Sequence, residues 1–268
     1  MSNNAPIGVF DSGIGGLTVL KELMELMPGE DFIYFGDTAR IPYGPRPPEQ
    51  IIEFMHEILE FFAQRKVKMA VVACNTMTAL GLEVTRHQYP FTLVGVNAGV
   101  RLALSISKNK KIGVIATQAT IASNKHARAI QEKDKEAVVY SQACPQLVPL
   151  IEREHVEGIE IESAVAEYLL PMKQAGVDAV ILGCTHYPFV SLVIEKIVGK
   201  GVTLINPARE TAIDAYHILM EKGNLSTKKS GKVLLCVSAD VDQAKKMAEY
   251  MLDLQQVTFE LVNLQGKC

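Results

Sequence analysis

The stretch Val67–Thr76, VKMAVVACNT, recurs about 110 positions later as Val177–His186, VDAVILGCTH. In each copy an apolar run ends in a small residue and a cysteine, which are Cys74 and Cys184. The residues after each cysteine are polar. A short apolar run that ends in this way is typical of a buried strand in a parallel sheet. We interpret the repeat as an internal duplication that places one cysteine at the end of a strand in each half.

The composition is that of a globular protein, and we expect its partner to be a small molecule. The chain has 268 residues, 48% of them apolar, and a formal net charge of −3. The weak charge gives no reason to expect nucleic acid as a partner. The start, MSNNAPIG, lacks the basic and apolar regions of a signal peptide, and no uncharged stretch is long enough to span a bilayer. We therefore expect no membrane association, a cytoplasmic location and reduced cysteines, which are five in number and lack metal-site spacing.

The spacing of apolar runs predicts alternating strands and helices, the pattern of an α/β fold with parallel sheets. Strands are predicted at 7–10, 31–35, 69–73, 93–96, 111–116, 137–140, 179–182, 203–205, 233–237 and 258–262. Helices are predicted at 49–65, 120–132, 160–175, 190–198, 206–218 and 242–254. Because the last strands most simply return to the first sheet, we predict a first lobe of residues 1–96 plus 206–268 and a second lobe of residues 97–205.

Cysteines at the carboxyl ends of parallel strands are candidates for acid/base chemistry. Ligands bind at this edge of an α/β sheet, and the start of the next helix favours a thiolate. A lone buried cysteine is more often a small apolar residue. Two cysteines in matching positions, Cys74 and Cys184, favour a two-sided proton-transfer site instead. Cys144, Cys236 and Cys268 lack such neighbours, and we expect them to be packing or surface residues.

A glycine-rich turn follows the first predicted strand as Asp11-Ser12-Gly13-Ile14-Gly15-Gly16. Its amides could meet an anion at a helix start, but the spacing is not that of a dinucleotide-binding fingerprint. Asp11 could bind an ammonium group, orient a thiol, or simply cap the following helix. These roles are compatible with one another.

A stiff loop, Asp37–Pro45, follows the second predicted strand and carries Tyr43 and Gly44. Proline and glycine suit a loop that covers a site, and the alternative is a surface turn with an Asp37 to Arg40 pair.

In the second half, His186 stands two residues after Cys184 and could polarise its thiol or act as an acid. Glu152 could reach the same edge and orient His186, or it could be an exposed carboxylate at a helix start.

The chain resembles the glutamate racemases, cofactor-independent enzymes of the aspartate/glutamate racemase superfamily. The resemblance covers nearly the whole chain. It rests on FDSGIGG from Phe10, GDTARIPYG from Gly36, ACNT from Ala73, CPQLVPLIE from Cys144 and GCTHYP from Gly183. The chain departs from the pattern at 96–99 and 206–209, at the predicted crossings between lobes.

The resemblance implies two similar α/β lobes related by a pseudo-twofold axis, with the active site in the cleft between them. It implies that Cys74 takes the α-proton from D-glutamate and Cys184 takes it from L-glutamate, with no cofactor and no metal. The auxiliary acid/base groups would be Asp11, Glu152 and His186. The substrate-binding residues would be Asp11, Ser12, Tyr43, Gly44, Asn75, Thr76, Thr185 and His186. The product would be D-glutamate for peptidoglycan and hence for cell-wall biogenesis and cell shape, and the enzyme would be a homodimer.

Four alternatives remain at the level of sequence. An aspartate racemase shares the fold, but we associate that branch with an acidic residue where His186 stands. A cysteine hydrolase would use Cys184 as nucleophile and His186 as base, which leaves Cys74 without a role. A two-lobe amino-acid binding protein would need no thiols. A zinc site could be built from Cys74, Cys184 and His186. Pyridoxal phosphate is not expected, because no lysine stands at a strand end beside the motifs.

Overall fold

Each of the two cysteine strands lies in its own parallel sheet, as the sequence predicts. The structure is a computed structural model that describes residues 4–264. The described residues form two compact units. The first unit takes the residues up to Val96 and those from Ala208 onward, and the second is Asn97–Pro207.

Ten strands make up the two sheets. They are β1 (Ile7–Asp11), β2 (Phe32–Gly36), β3 (Met69–Val72), β4 (Thr92–Gly95), β5 (Lys111–Ala116), β6 (Val138–Ala143), β7 (Ala179–Gly183), β8 (Thr203–Ile205), β9 (Val233–Val237) and β10 (Val257–Leu261).

Helices connect the strands. They are α1 (Leu17–Leu26), α2 (Pro48–Gln64), α3 (Asn75–Leu80), α4 (Leu82–Thr85), α5 (Val100–Ile106), α6 (Gln118–Ala122), α7 (Lys125–Lys133), α8 (Leu147–Glu152), α9 (Ile159–Gln174), α10 (Ser191–Val198), α11 (Ala208–Glu221) and α12 (Val241–Glu249). Short 3-10 turns occur at Thr38–Arg40, Tyr187–Val190 and Leu254–Gln256. In the part of the chain that the structure describes, no helix has the length and apolar character needed to cross a membrane.

The first sheet has the order β10-β9-β2-β1-β3-β4, and all its pairings are parallel. Its carboxyl edge brings the ends of β1 and β3 side by side, since Phe10 pairs with Val72. Asp11, which ends β1, and Cys74, which follows β3, therefore lie at the same edge of the sheet. The C-terminal strand β9 lies beside β2, and β10 lies beside β9.

The second sheet has the order β6-β5-β7-β8 and is also parallel. Strands β2-β1-β3-β4 of the first sheet follow the same order, so β1 corresponds to β5 and the cysteine strand β3 corresponds to β7. This shared order confirms the duplicated parallel α/β architecture. It also gives Cys74 and Cys184 equivalent positions within their own sheets.

Several elements differ from the sequence prediction. The sequence pattern predicts no bounds for α1, α3, α4, α5 and α8, and the helix predicted at 242–254 ends at Glu249. The helix predicted at 120–132 is two helices, α6 and α7, because Asn124 adopts a left-handed backbone conformation (φ 55°) that no α-helix continues through. The strand predicted at 137–140 runs from Val138 to Ala143. It lies at the edge of its sheet and none of its residues is buried, so polar residues extend it and an apolar run underestimates its length.

A buried ion pair holds the tail at the amino edge of the first sheet. Lys68 Nζ lies 2.5 Å from Glu30 Oε2, with side-chain exposures of 1% and 3%. The same ammonium donates to the carbonyl of Asn224, and Glu30 accepts from the amide of Ser226. The pair therefore joins the strands of the first sheet to the segment that leads into β9.

Candidate active site

Cys74 lies at the carboxyl edge of the first sheet, one residue beyond the alanine that follows β3. Helix α3 begins at the next residue, and the Cys74 carbonyl accepts a hydrogen bond from the Thr78 amide at 2.9 Å. Its thiol, in a residue only 4% exposed, is within hydrogen-bonding distance of Ser12 Oγ, at 3.8 Å. The structure thus brings Cys74 and Ser12 together, although 62 positions separate them.

Asp11 ends β1, is fully buried and closes the glycine-rich turn. Its Oδ2 accepts a hydrogen bond from the Gly16 amide at 2.8 Å, just before α1 begins at Leu17. A Cβ on Gly16 would lie 2.7 Å from the Asp11 Cβ, so the close approach requires glycine. The N-cap of α1 is Gly16 and it has no side-chain cap, so Asp11 does not cap the helix but fixes the turn that leads into it.

The loop after β2 is built around a buried carboxylate. Asp37 Oδ2 accepts hydrogen bonds from Arg40 Nε at 2.6 Å and from the Tyr43 hydroxyl. The predicted Asp37 to Arg40 pair is present, but both residues are buried, so it is not a surface pair. Burial, followed by the charge of Asp37, raises the pKa of Tyr43 well above its usual value, so its hydroxyl remains a donor. Gly44 follows, half-buried.

Two buried polar residues follow Cys74. Asn75 is 5% exposed and its Oδ1 has no hydrogen-bond partner among residues 4–264. Thr76 is 2% exposed. An unsatisfied buried amide oxygen is costly unless a ligand supplies the donor, so Asn75 is a candidate acceptor for a substrate ammonium group.

Cys184 directly follows β7, and its thiol begins a chain of contacts that runs through a histidine to a glutamate. Its Sγ is 3.8 Å from His186 Nδ1, and His186 Nε2 is 2.6 Å from Glu152 Oε1. Glu152 ends α8 and faces the histidine, so it is not the exposed carboxylate of the alternative interpretation. Thr185, between the two, is 6% exposed.

His186 is almost completely buried, at 1% exposure, and its partners determine its protonation. Burial by itself lowers the pKa of the imidazole, but the hydrogen bonds to Cys184 and Glu152 and their charges outweigh burial. The net result is a pKa raised well above the usual value. The ring therefore carries a proton near neutral pH, which it can share with the Cys184 sulfur.

The other described cysteines, Cys144 and Cys236, are also buried. Burial raises the pKa of Cys144, and burial raises the pKa of Cys236 to about 12. Both stay protonated near neutral pH, in keeping with a packing role. Cys268 lies outside the described residues.

Sequence reasoning missed Ser238, which contacts the carboxylate that holds Tyr43. It also missed Tyr187, whose amide donates to the carbonyl of Cys184 at 3.1 Å. Ser238 Oγ donates to Asp37 Oδ1 at 2.8 Å across 201 positions, and no local sequence signal announces such a contact. The Tyr187 hydroxyl donates to the carbonyl of Cys144 at 3.3 Å. Its place in GCTHYP, directly after His186, was a signal that could have identified it.

Comparison with known proteins gives one consistent family. The Asp/Glu/Hydantoin racemase family model matches residues 7–215. The glutamate racemase of Thermoanaerobacter pseudethanolicus is 44% identical over 251 residues, which are 93% of this chain and 94% of that protein. A crystal structure of a glutamate racemase isoform from Bacillus anthracis aligns with a TM-score of 0.92 and 38% identity, and covers 99% of this chain and 100% of that one.

A second solved structure carries a ligand. The glutamate racemase of Francisella tularensis in complex with D-glutamate aligns with a TM-score of 0.89 and 37% identity, covering 98% of this chain and 99% of that one. Within residues 4–264, no three His, Cys, Asp or Glu side chains are grouped as a metal ion would require.

Proposed function

Since the chain belongs to the Asp/Glu/Hydantoin racemase family, among its glutamate racemases, and is an amino-acid racemase, we propose that it interconverts L- and D-glutamate through a pair of cysteine bases. The observation that carries this mechanism is the equivalent position of Cys74 after β3 and Cys184 after β7. Racemisation removes a proton from one face of the α-carbon and returns one to the other. Two thiols, each serving one face, meet that requirement.

We assign Cys184 to L-glutamate and Cys74 to D-glutamate. The thiolate on one side takes the α-proton, and the thiol on the other side donates its own proton to the opposite face. The charged ring of His186 supports negative charge on the Cys184 sulfur when that residue acts as base, and Glu152 holds the ring in place. Ser12 is the corresponding partner of Cys74.

The remaining polar residues hold the amino acid. Asn75 Oδ1 accepts from the ammonium group, and the hydroxyl groups of Thr76 and Thr185 donate to substrate carboxylates. Tyr43 and Gly44 contribute the edge of their loop, and Asp11 supports the turn that carries Ser12. An α-proton is very weakly acidic, so a reaction without an electron-sink cofactor depends on such preorganised donors and on the exclusion of water.

The proposed biological role follows from the product. D-glutamate made in the cytoplasm would enter peptidoglycan and thereby support cell-wall biogenesis and cell shape. We propose a homodimer as the working form. Sedimentation of the purified protein across a range of concentrations tests this state, and a monomer at all of them would contradict it.

The decisive experiment measures the incorporation of solvent deuterium at the α-carbon of glutamate. In heavy water the protein should convert L-glutamate to D-glutamate that carries deuterium at the α-carbon, while the remaining L-glutamate is initially unlabelled. Activity should survive dialysis against a chelator, because no metal takes part. A preparation that binds glutamate without any exchange would refute the proposal and favour a binding protein.

A matched pair of cysteine variants tests the assignment. Cys74→Ala should abolish racemisation in both directions, whereas Cys236→Ala, a buried cysteine of the same unit, should not. The two enantiomers have equal free energy, so kcat/KM must fall equally in both directions. Residual exchange should nevertheless be one-sided, with Cys184 still labelling L-glutamate without inversion.

The contact chain Cys184, His186 and Glu152 also fits a cysteine hydrolase, in which a base activates the thiol and a carboxylate orients the base. A hydrolase would not need Cys74. If Cys74→Ala retained full activity on an amide or ester of glutamate, the hydrolase would replace the racemase as the better account.

A further inference from the structure

The segment after β9 interlocks with the loop after β2, although 201 positions separate their contacts. Ser238 Oγ accepts a hydrogen bond from the Ala39 amide at 2.9 Å and donates to Asp37 Oδ1 at 2.8 Å. Thr38 and Ala239 form a reciprocal pair, in which Thr38 Oγ1 donates to the Ala239 carbonyl at 2.6 Å and accepts from its amide at 2.9 Å. Four side-chain hydrogen bonds thus fasten the start of the loop to the C-terminal segment.

Asp37 connects the C-terminal segment to the rest of the loop. Its other carboxylate oxygen accepts from Arg40 and Tyr43, and its own amide donates to the carbonyl of Asp11 at 3.1 Å. The Arg40 guanidinium lies 3.9 Å from the centre of the Phe54 ring, which fixes it further. Because Asp37 is fully buried, each donor it loses leaves charge unsatisfied in a place that water does not reach.

Tyr43 is the residue of this loop that packs in the same buried cluster as Cys74. This apolar cluster also contains Phe10, Phe54 and Cys236 of β9. A shift of Asp37 would therefore move the Tyr43 ring relative to Cys74 and would also move Gly44, the next residue.

We propose that Ser238 is a positioning residue for substrate binding: it holds Asp37 so that Tyr43 and Gly44 keep the conformation that receives the amino acid. This inference rests on the proposed substrate role of Tyr43 and Gly44. Ser238 touches neither Cys74 nor its partner Ser12 through any hydrogen bond that the structure describes. Its loss therefore weakens binding of the substrate and of the transition state alike, which raises KM and leaves kcat nearly unchanged.

The test uses three serine variants of the full chain. Ser238→Ala removes the bridge, and Ser238→Thr keeps the hydroxyl at this half-buried position. Ser230→Ala is the matched control, since Ser230 is a serine of the same C-terminal segment whose Oγ contacts Gln256 instead. KM and kcat are measured with both enantiomers of glutamate, and backbone amide exchange is followed by mass spectrometry over residues 38–46 without substrate.

We expect Ser238→Ala to raise KM about tenfold for both enantiomers, the usual effect of losing one hydrogen bond to a charged group. Amide exchange at Ala39 should accelerate, Ser238→Thr should restore both values, and Ser230→Ala should match the wild type. An unchanged KM in Ser238→Ala would overturn the inference, even if the variant unfolded more easily, because the contact would then serve stability alone. An inactive wild type would refute the proposed function instead. Unchanged amide exchange at Ala39 in Ser238→Ala would show, independently of activity, that Ser238 does not hold the loop.

Discussion

The stability of the second unit should depend on pH through one buried histidine. His126 lies on α7, is 8% exposed, and neither ring nitrogen has a hydrogen-bond partner within residues 4–264. Its Nε2 lies 3.6 Å from the point where a Cβ on Gly183 would stand, directly before Cys184. Burial lowers its pKa from 6.5 to about 4.

The sign of the effect follows from proton uptake. Between pH 6.5 and about 4 the unfolded chain binds a proton at His126 that the folded chain does not, so the free energy of unfolding falls as pH falls. At about 1.4 kcal/mol per pH unit the full effect approaches about 3 kcal/mol, of which about 2 kcal/mol is lost by about pH 5. Above pH 6.5 the imidazole is neutral in both states and costs nothing further.

The perturbation is His126→Leu, which keeps a similar volume and removes the titrating group. Urea unfolding at about pH 7.5 and about pH 5, followed by far-ultraviolet circular dichroism because the chain has no tryptophan, gives the difference between variant and wild type. The variant should gain about 2 kcal/mol relative to the wild type on acidification. His87→Leu, at an exposed histidine, is the control and should show no such gain. A difference between His126→Leu and wild type that does not change with pH would refute the reasoning.

Three further outcomes can be checked. Glu152→Gln removes the charge that raises the pKa of His186, so the alkaline limb of the pH–kcat profile should move down by about one pH unit or more, and an unmoved limb would contradict this role. Lys68→Met leaves the buried Glu30 carboxylate without its cation and should cost about 3–5 kcal/mol in urea unfolding, whereas the double variant with Glu30→Gln should recover much of that loss. Gly16→Ala adds a carbon 2.7 Å from its nearest neighbour and should lower stability by about 2 kcal/mol, measured by thermal unfolding, and a wild-type melting temperature would show that the turn can relax.

Much of the fold could be predicted because both sheets are buried and parallel, so their strands are continuous apolar runs that end at polar residues. Strands β5, β8 and β9 begin and end where the sequence predicts. Where burial is weak the prediction loses accuracy, as at the exposed edge strand β6. The break at Asn124 depends on a single left-handed residue, which an apolar periodicity does not register.

The candidate site also contains residues that could be predicted from the sequence and contacts that could not. Residues near a cysteine in sequence, such as Asn75 and His186, could be found from the repeat alone. The contact of Glu152 with His186 could be anticipated because both follow strands of one sheet. The bond from Ser238 to Asp37 could not, since it depends on β9 lying beside β2, a neighbourhood that only the completed sheet creates.

The order in which the chain contributes to the two units has a consequence for folding during synthesis on the ribosome. The second unit is one continuous segment, and its last strand, β8, ends at Ile205. The first unit holds both ends of the chain, and β2 lacks its neighbour β9 until Val237 has been made. Vectorial synthesis therefore lets the Cys184 half fold while the Cys74 half still has an open sheet edge. The sheet that carries Cys184 is thus complete before the sheet that carries Cys74, and the hydrogen bonds of Ser238 are among the last to form.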